Sequence, residues 1–423
     1  MAKISEGDLG AGTTAVCSAE RRGSLRTIPA GVWALGFVSM FMDISSEMIH
    51  ALLPVYLVTV LGTSALTVGF IEGVAEATGQ ITRIFTGALS DRFGRRKALT
   101  ALGYGLSACT KLIFPLASVV DWLVAARFID RLGKGLRGAP RDALVADISP
   151  PHLRGASYGL RQSLDTVGAL LGPLVAIALM WLTSNHFTVV FWIAVAPAFI
   201  AVGLILAAVH EPTREKNVRP IRETGRFTKV GSLSLGSSCW LVIAIGAVFT
   251  LARFSEAFLI LRAQSVSLPL MLVPAVLVVM NITYSLSAYP VGALSDRMDR
   301  THVLAAGLFI LAAADLVLAR ATGIAGLAAG VALWGLHMGC TQGLFATMIA
   351  DAAPPDRRGT AFGMFNVVSG LAQFCASVIA GALWDAHGPG STFLVGAALA
   401  ILALVTLFAL RGRLRRPLVA VDE

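Results

Sequence analysis

The residues best equipped for chemistry in this chain are acids and bases set inside long apolar stretches. Between 122 and 143, Arg127, Asp130, Arg131, Lys134, Arg137 and Arg141 recur at spacings of three and four, which on an α-helix holds them within a sector of about 120°. Asp43, Glu47 and His50 form a similar set earlier, Glu72, Glu76 and Arg83 another, and Arg161 and Asp165 stand one turn apart. Such groups suit proton transfer and ion pairing. A carboxylate whose surroundings alternate between burial and a neighbouring arginine takes up and releases a proton as they change. Asp43, Glu47, Glu76, Asp130 and Asp165 lie near the middle of their stretches and are the candidate proton carriers, Glu47 and Asp165 foremost. Arg127, Arg131, Lys134 and Arg161 are their expected charge partners in a wet central cavity. There is no HExxH pair and no His-Cys cluster, and the five cysteines show no CxxC spacing, so neither an enzyme nor a metal or cofactor site is indicated.

The elements that must hold these groups are membrane helices. The 423 residues are 56% hydrophobic and only 14% charged, with mean hydropathy +0.75, well away from a soluble globule, which is about a quarter charged. Twelve apolar windows, each long enough to cross hydrocarbon, fall between 33 and 411, six on either side of a polar stretch. The expected division is a tail at 1–28, a six-helix bundle at 29–209, a linker at 210–237, a second bundle at 238–411 and a tail at 412–423. The net charge of +9 is concentrated in the tails, the linker and alternate loops. That bias places both termini and the linker in the cytoplasm of a multi-pass cell (inner) membrane protein and gives no reason to expect a nucleic-acid partner.

The halves repeat. Gly87-Ala-Leu-Ser-Asp91-Arg92-Phe-Gly94-Arg95-Arg96-Lys97 returns as Gly292-Ala-Leu-Ser-Asp296-Arg297, and Ala146-Asp147 with Arg154-Gly155 returns as Ala350-Asp351 with Arg358-Gly359. Two related six-helix halves form the architecture of a transporter that opens alternately to each side. The chain resembles the major facilitator superfamily over nearly its whole length: the first copy is similar to that family's complete loop signature, while the second departs from it at Asp299 and Thr301. The resemblance implies an all-α fold of twelve transmembrane helices in two pseudo-symmetric six-helix bundles, with this loop as a gate latch. Gly168, Gly172 and Pro173 resemble the family's antiporter signature, a hinge on which the halves rock, with Ala176 where glycine is usual. Arg127 sits where the family carries an arginine associated with proton coupling, although Asp130 and Arg131 replace the glutamine and glycine that normally follow.

The second half is poorer in charge, and Trp334, His337, Gln342, Phe345, Phe365 and Asn366 are its expected substrate wall. The function expected is alternating-access transport, proton-coupled and outward, of a small organic molecule. Import of a small polar or anionic solute by symport or uniport, and a transporter-like receptor, stay open. The expected partners are the substrate, protons and the lipid bilayer, with the monomer as the working unit.

Overall fold

The computed structural model describes residues 27–93, 95–210, 235–295, 298–341, 344–353 and 358–414. Among the described residues the helices order into twelve spans. In the first half these are Ala30–His50 continued by Leu53–Thr59, Ala65–Phe93, Arg96–Lys111 continued by Ile113–Leu116, Val120–Ile148, Arg154–Leu182 and Phe187–Ala208. In the second they are Ser237–Ala252 continued by Ala257–Ser265, Ala275–Ser295, Arg300–Arg320, Ile324–Thr341 continued by Leu344–Ala352, Arg358–His387 and Pro389–Leu414.

Ten of these spans are long and apolar enough to cross a membrane by length and composition; the second and the fourth fall short. Those two carry Glu72, Glu76 and Arg83, and the basic stripe from Arg127 to Arg141. Their polarity is affordable because both are enclosed: the second packs on the fourth and on the eleventh, and the fourth on the third. Charges turned toward other helices escape the cost of facing acyl chains.

The two halves meet along two main seams, the second span against the eleventh and the fifth against the eighth, and the continuations of the first and seventh spans, Leu53–Thr59 and Ala257–Ser265, also touch. At the first seam the backbones touch: a Cβ on Gly69 would lie 2.2 Å from Ser377 O, and one on Gly381 2.6 Å from Ala65 O. Absence of a side chain is what lets membrane helices approach this closely. The seam is tied at the end away from the basic loops, where the backbone N–H groups of Ala65 and Leu66 donate to the Asp385 carboxylate at 3.0 and 2.9 Å. A carboxylate at an exposed helix N-terminus satisfies orphan donors and meets the positive end of the helix dipole. Here it comes from the other half of the molecule. At the second seam the Asn281 side-chain amide donates to Ala169 O at 3.2 Å.

Much of the expected linker (211–234), and residues 1–26 and 415–423 of the tails, lie outside the described residues. So do Gly94, Asp296, Arg297 and Gln342, and the side chains at Gly87, Asp91 and Arg92.

Candidate functional site

The charged faces of the first, second, fourth and fifth spans converge on a central cavity, with two buried networks behind it. Its largest compartment, about 740 Å³, is bordered by Asp43, Glu47, Lys134, Arg161 and Asp165, with Asn281 and Tyr284 from the second half opposite. A deeper compartment of about 290 Å³ shares Glu47 and Lys134 with it and adds Glu76, Arg131 and the Arg253–Glu256 segment. A third, about 370 Å³, opens beside Arg83 and Arg253 onto Phe345, Phe365 and Asn366. Volumes of this size hold small organic molecules. The cavity runs toward the basic end: Asp142 and Arg161 stand near the basic ends of their spans and border it, whereas the opposite end is closed by the Asp385 tie.

Within the cavity the acids differ in their company. Asp165 takes a 2.5 Å hydrogen bond from Arg161 and has Arg141 at 4.0 Å, while Arg141 also reaches Asp142 at 3.2 Å. Glu76 pairs with Arg131 at 3.0 Å. Among the described residues Glu47 has only His50, at 3.6 Å. Asp43 has no ion pair within 4 Å among the described residues, and Arg83 and Lys134 have neither an ion pair nor a hydrogen bond among them. Groups so loosely paired on a cavity wall are free to exchange partners with a ligand or a proton.

Behind the wall the charges are locked. Arg127 grips Glu72 through two hydrogen bonds of 3.0 and 2.7 Å, and both side chains are nearly fully buried. A planar guanidinium and a carboxylate matched in this way form a strong directional pair. Lys111, one turn from the far end of the third span, donates to Asp130 at 3.1 Å. Arg137, which also borders the large compartment, donates to Ser107 at 2.6 Å, and Ser107 donates to Asp130 O at 3.2 Å.

These contacts set two of the expected cavity residues behind the wall. Asp130 is sealed and ion-paired away from the cavity, and Arg127 belongs to the same dry layer. The reason is register: their sector is wide enough that one edge faces the third and second spans while Arg131 and Lys134 face the cavity. In the second half Phe345 and Phe365 stack at 5.9 Å on the cavity side, with Asn366 beside them. Trp334 and His337 do not share that wall. Both are fully buried, and His337 Nδ1 lies 3.0 Å from Gly307 O. Close packing of Gly335 against Met280 and Gly307 against Thr341 turns that face of the tenth span into the core of the bundle.

Gly168 and Gly172 seat the fifth span against the first. A Cβ on Gly168 would lie 2.7 Å from Met40 O, and one on Gly172 2.5 Å from Glu47 Cβ. The two glycines therefore fix the distance between the helices carrying Asp43, Glu47 and Asp165, inside one half, while Ala169 between them accepts the Asn281 contact from the other half. In the gate loop, Arg96 pairs with Asp147 and Lys97 donates to Leu206 O at 3.0 Å, both inside the first half. Arg95 stands at the start of the third span, and a Cβ on Gly292 would meet nothing within 4 Å.

Several cavity residues were not singled out from the sequence. Asp142, Gln80 and Gln162 line the wall because of where their helices cross, and neither spacing nor type marks them. Gly155-Ala156-Ser157-Tyr158-Gly159 satisfies the GxSxG spacing of a hydrolase nucleophile, but it runs within one continuous helix, with Ser157 buried and no hydrogen-bonded partner among the described residues. A nucleophile elbow needs a strand-to-helix turn. No group of three metal-binding side chains is found among the described residues.

The Major Facilitator Superfamily matches the chain over residues 35–281 and again over 257–422. An uncharacterised MFS-type transporter of Methanocaldococcus jannaschii is 33% identical over 392 residues, covering 90% of this chain and 96% of that protein. The multidrug resistance protein MdtH of Photorhabdus laumondii is 27% identical over 394 residues, covering 90% and 93%. The crystal structure of the nucleoside transporter NupG superposes with a TM-score of 0.75 at 13% identity over 90% of this chain and 99% of that one. Two six-span halves around a polar cavity, together with these matches along the whole chain, make this protein a member of the major facilitator superfamily of membrane transporters.

Proposed function

We propose that this transporter exports a small organic molecule in exchange for protons, with Glu47 and Asp165 as the principal proton carriers and Asp43 and Glu76 beside them. The observation that carries the reading is the cavity itself: acids in incomplete or exchangeable pairing share one wall with cations that have no partner among the described residues, and the space opens toward the basic end. By the charge bias of membrane loops that end faces the cytoplasm, so the conformation is the one that receives cargo from inside. The stacked pair Phe345 and Phe365 supplies an apolar surface for an organic body, and export agrees with the name given to MdtH.

Lys134 and Arg83 favour a second reading, uptake of an anionic solute that those two cations would hold. Flux in proteoliposomes separates the two. A deletion strain and an overexpressor are grown against a panel of toxic compounds, and each hit is assayed under an imposed pH gradient. Cargo moving against the proton flow supports export; cargo moving with it, or indifferent to it, removes the antiport scheme.

A further inference from the structure

The second half contains an acid that the scheme above does not use. Asp315, in the ninth span, is fully buried, and neither carboxylate oxygen has a hydrogen-bond partner among the described residues. Two other buried polar atoms nearby on the adjoining tenth span, Trp334 Nε1 and His337 Nε2, are also unpartnered. The carboxyl and the Phe254 ring both face Gly396: a Cβ there would be 2.6 Å from Asp315 Oδ2 and 2.9 Å from Phe254 Cε1. The Phe254 ring also packs on Trp334, centroid to centroid 5.3 Å.

Phe254 is at the same time a cavity residue. It belongs to the segment Arg253–Glu256, where the helix of the seventh span is interrupted, and with Arg253 and Glu256 it borders the deep compartment. One aromatic ring therefore borders the cavity on one side and lies near a buried acid on the other, on a piece of backbone where the helix is broken. The charged and titratable groups around the acid are few. The ninth span itself has Arg300 and His302 at one end and Arg320 at the other; the tenth offers His337 and Cys340; the twelfth, from Pro389 to Ala409, has no charged residue; the eighth has Tyr284 and Tyr289. The seventh has Arg253 and Glu256, paired with each other at 3.5 Å, and Arg262, whose guanidinium is spent on the carbonyls of Leu318, Ala319 and Ala321. None of them reaches the Asp315 carboxyl. Without donor or counter-ion, an ionised carboxylate costs far more in this setting than one that keeps its proton.

We infer that Asp315 is a proton-binding site of the second half, loaded while the cavity faces the basic end and exchanging with it when movement at Arg253–Glu256 carries Phe254 aside. This deepens the proton-coupled reading and rests on it for its purpose, but its test needs no substrate.

The test is infrared spectroscopy of the purified full chain in liposomes, taking wild type minus D315N at neutral pH and following the spectrum after transfer to D2O. The expected result is a carboxylic C=O band that is present in wild type, absent in D315N and shifted downward as deuterium enters. F254A, which keeps the acid in place, exchanges severalfold faster and reads the same band should D315N fail to fold. Absence of the band, or a band that never exchanges while the protein remains active in flux, overturns the site; an F254A rate equal to wild type overturns the route. Flux indifferent to a pH gradient, with the band intact, overturns only the coupling scheme.

Discussion

Replacing Asp385 with Ala tests whether the end opposite the basic loops is held shut by one cross-half contact. The carboxylate accepts from two backbone N–H groups at the start of the second span. Loss of a capping acceptor costs about 1 kcal/mol, and loss of a negative charge at a helix N-terminus about 0.5 kcal/mol at an exposed position such as this. Together these come to about 1.5 kcal/mol, roughly tenfold in the ratio of closed to open at that end. The second span itself does not unravel, because Ser64 Oγ still accepts from Thr67 N at 3.1 Å. D385N, which keeps one acceptor oxygen and loses the charge, falls between the two. Spin labels at Val60 and Ser267, exposed positions beyond the ends of the first and seventh spans, in a cysteine-free background, report the opening as a distance distribution. The expected result is a longer-distance population that grows from wild type through D385N to D385A. Distributions that coincide for all three would refute the latch and with it the assignment of which end is closed.

Four further outcomes follow from the same geometry. Glu72→Gln removes the two-pronged partner of the buried Arg127 guanidinium and leaves it only Asp130, at 4.0 Å and already paired with Lys111, so thermal unfolding in detergent should show a loss of about 3 kcal/mol, with cavity binding affected only through stability. Gly69→Ala puts a methyl group 2.2 Å from Ser377 O; it should push the second and eleventh spans apart and lengthen the Val60–Ser267 distance as D385A does, and an unchanged distance would contradict the seam. Asp165→Asn should abolish flux driven by a pH gradient while sparing exchange of labelled for unlabelled cargo. Asp130→Asn should instead lower stability, because it strips Lys111 of its partner; the proton-carrier assignment fails if Asp165→Asn retains full pH-driven transport.

Most of the architecture was legible in the amino-acid sequence. Hydrocarbon tolerates only helices whose backbone is internally bonded, so runs of apolar residues and the repeat of Gly87–Lys97 at Gly292–Arg297 determined twelve spans, two halves and the family. Even the second and fourth spans, too polar to meet an apolar criterion, were marked by charges recurring at helical spacing. What periodicity could not decide was which side of a polar stripe meets which neighbour. Arg127 and Arg131 are one turn apart, yet one is sealed against Glu72 and the other faces the cavity. Asp130 and Asp165 look equivalent in the sequence; Lys111, 19 residues away, locks the first, whereas the second borders open space. Trp334 and Phe345 share a span but not a surface. Asp385 meets the start of the second span from 320 residues away. A local pattern sets the face on which a side chain projects, because helical pitch is fixed by the backbone. Its partner depends on how helices distant in sequence cross, and that is settled by packing across the whole bundle.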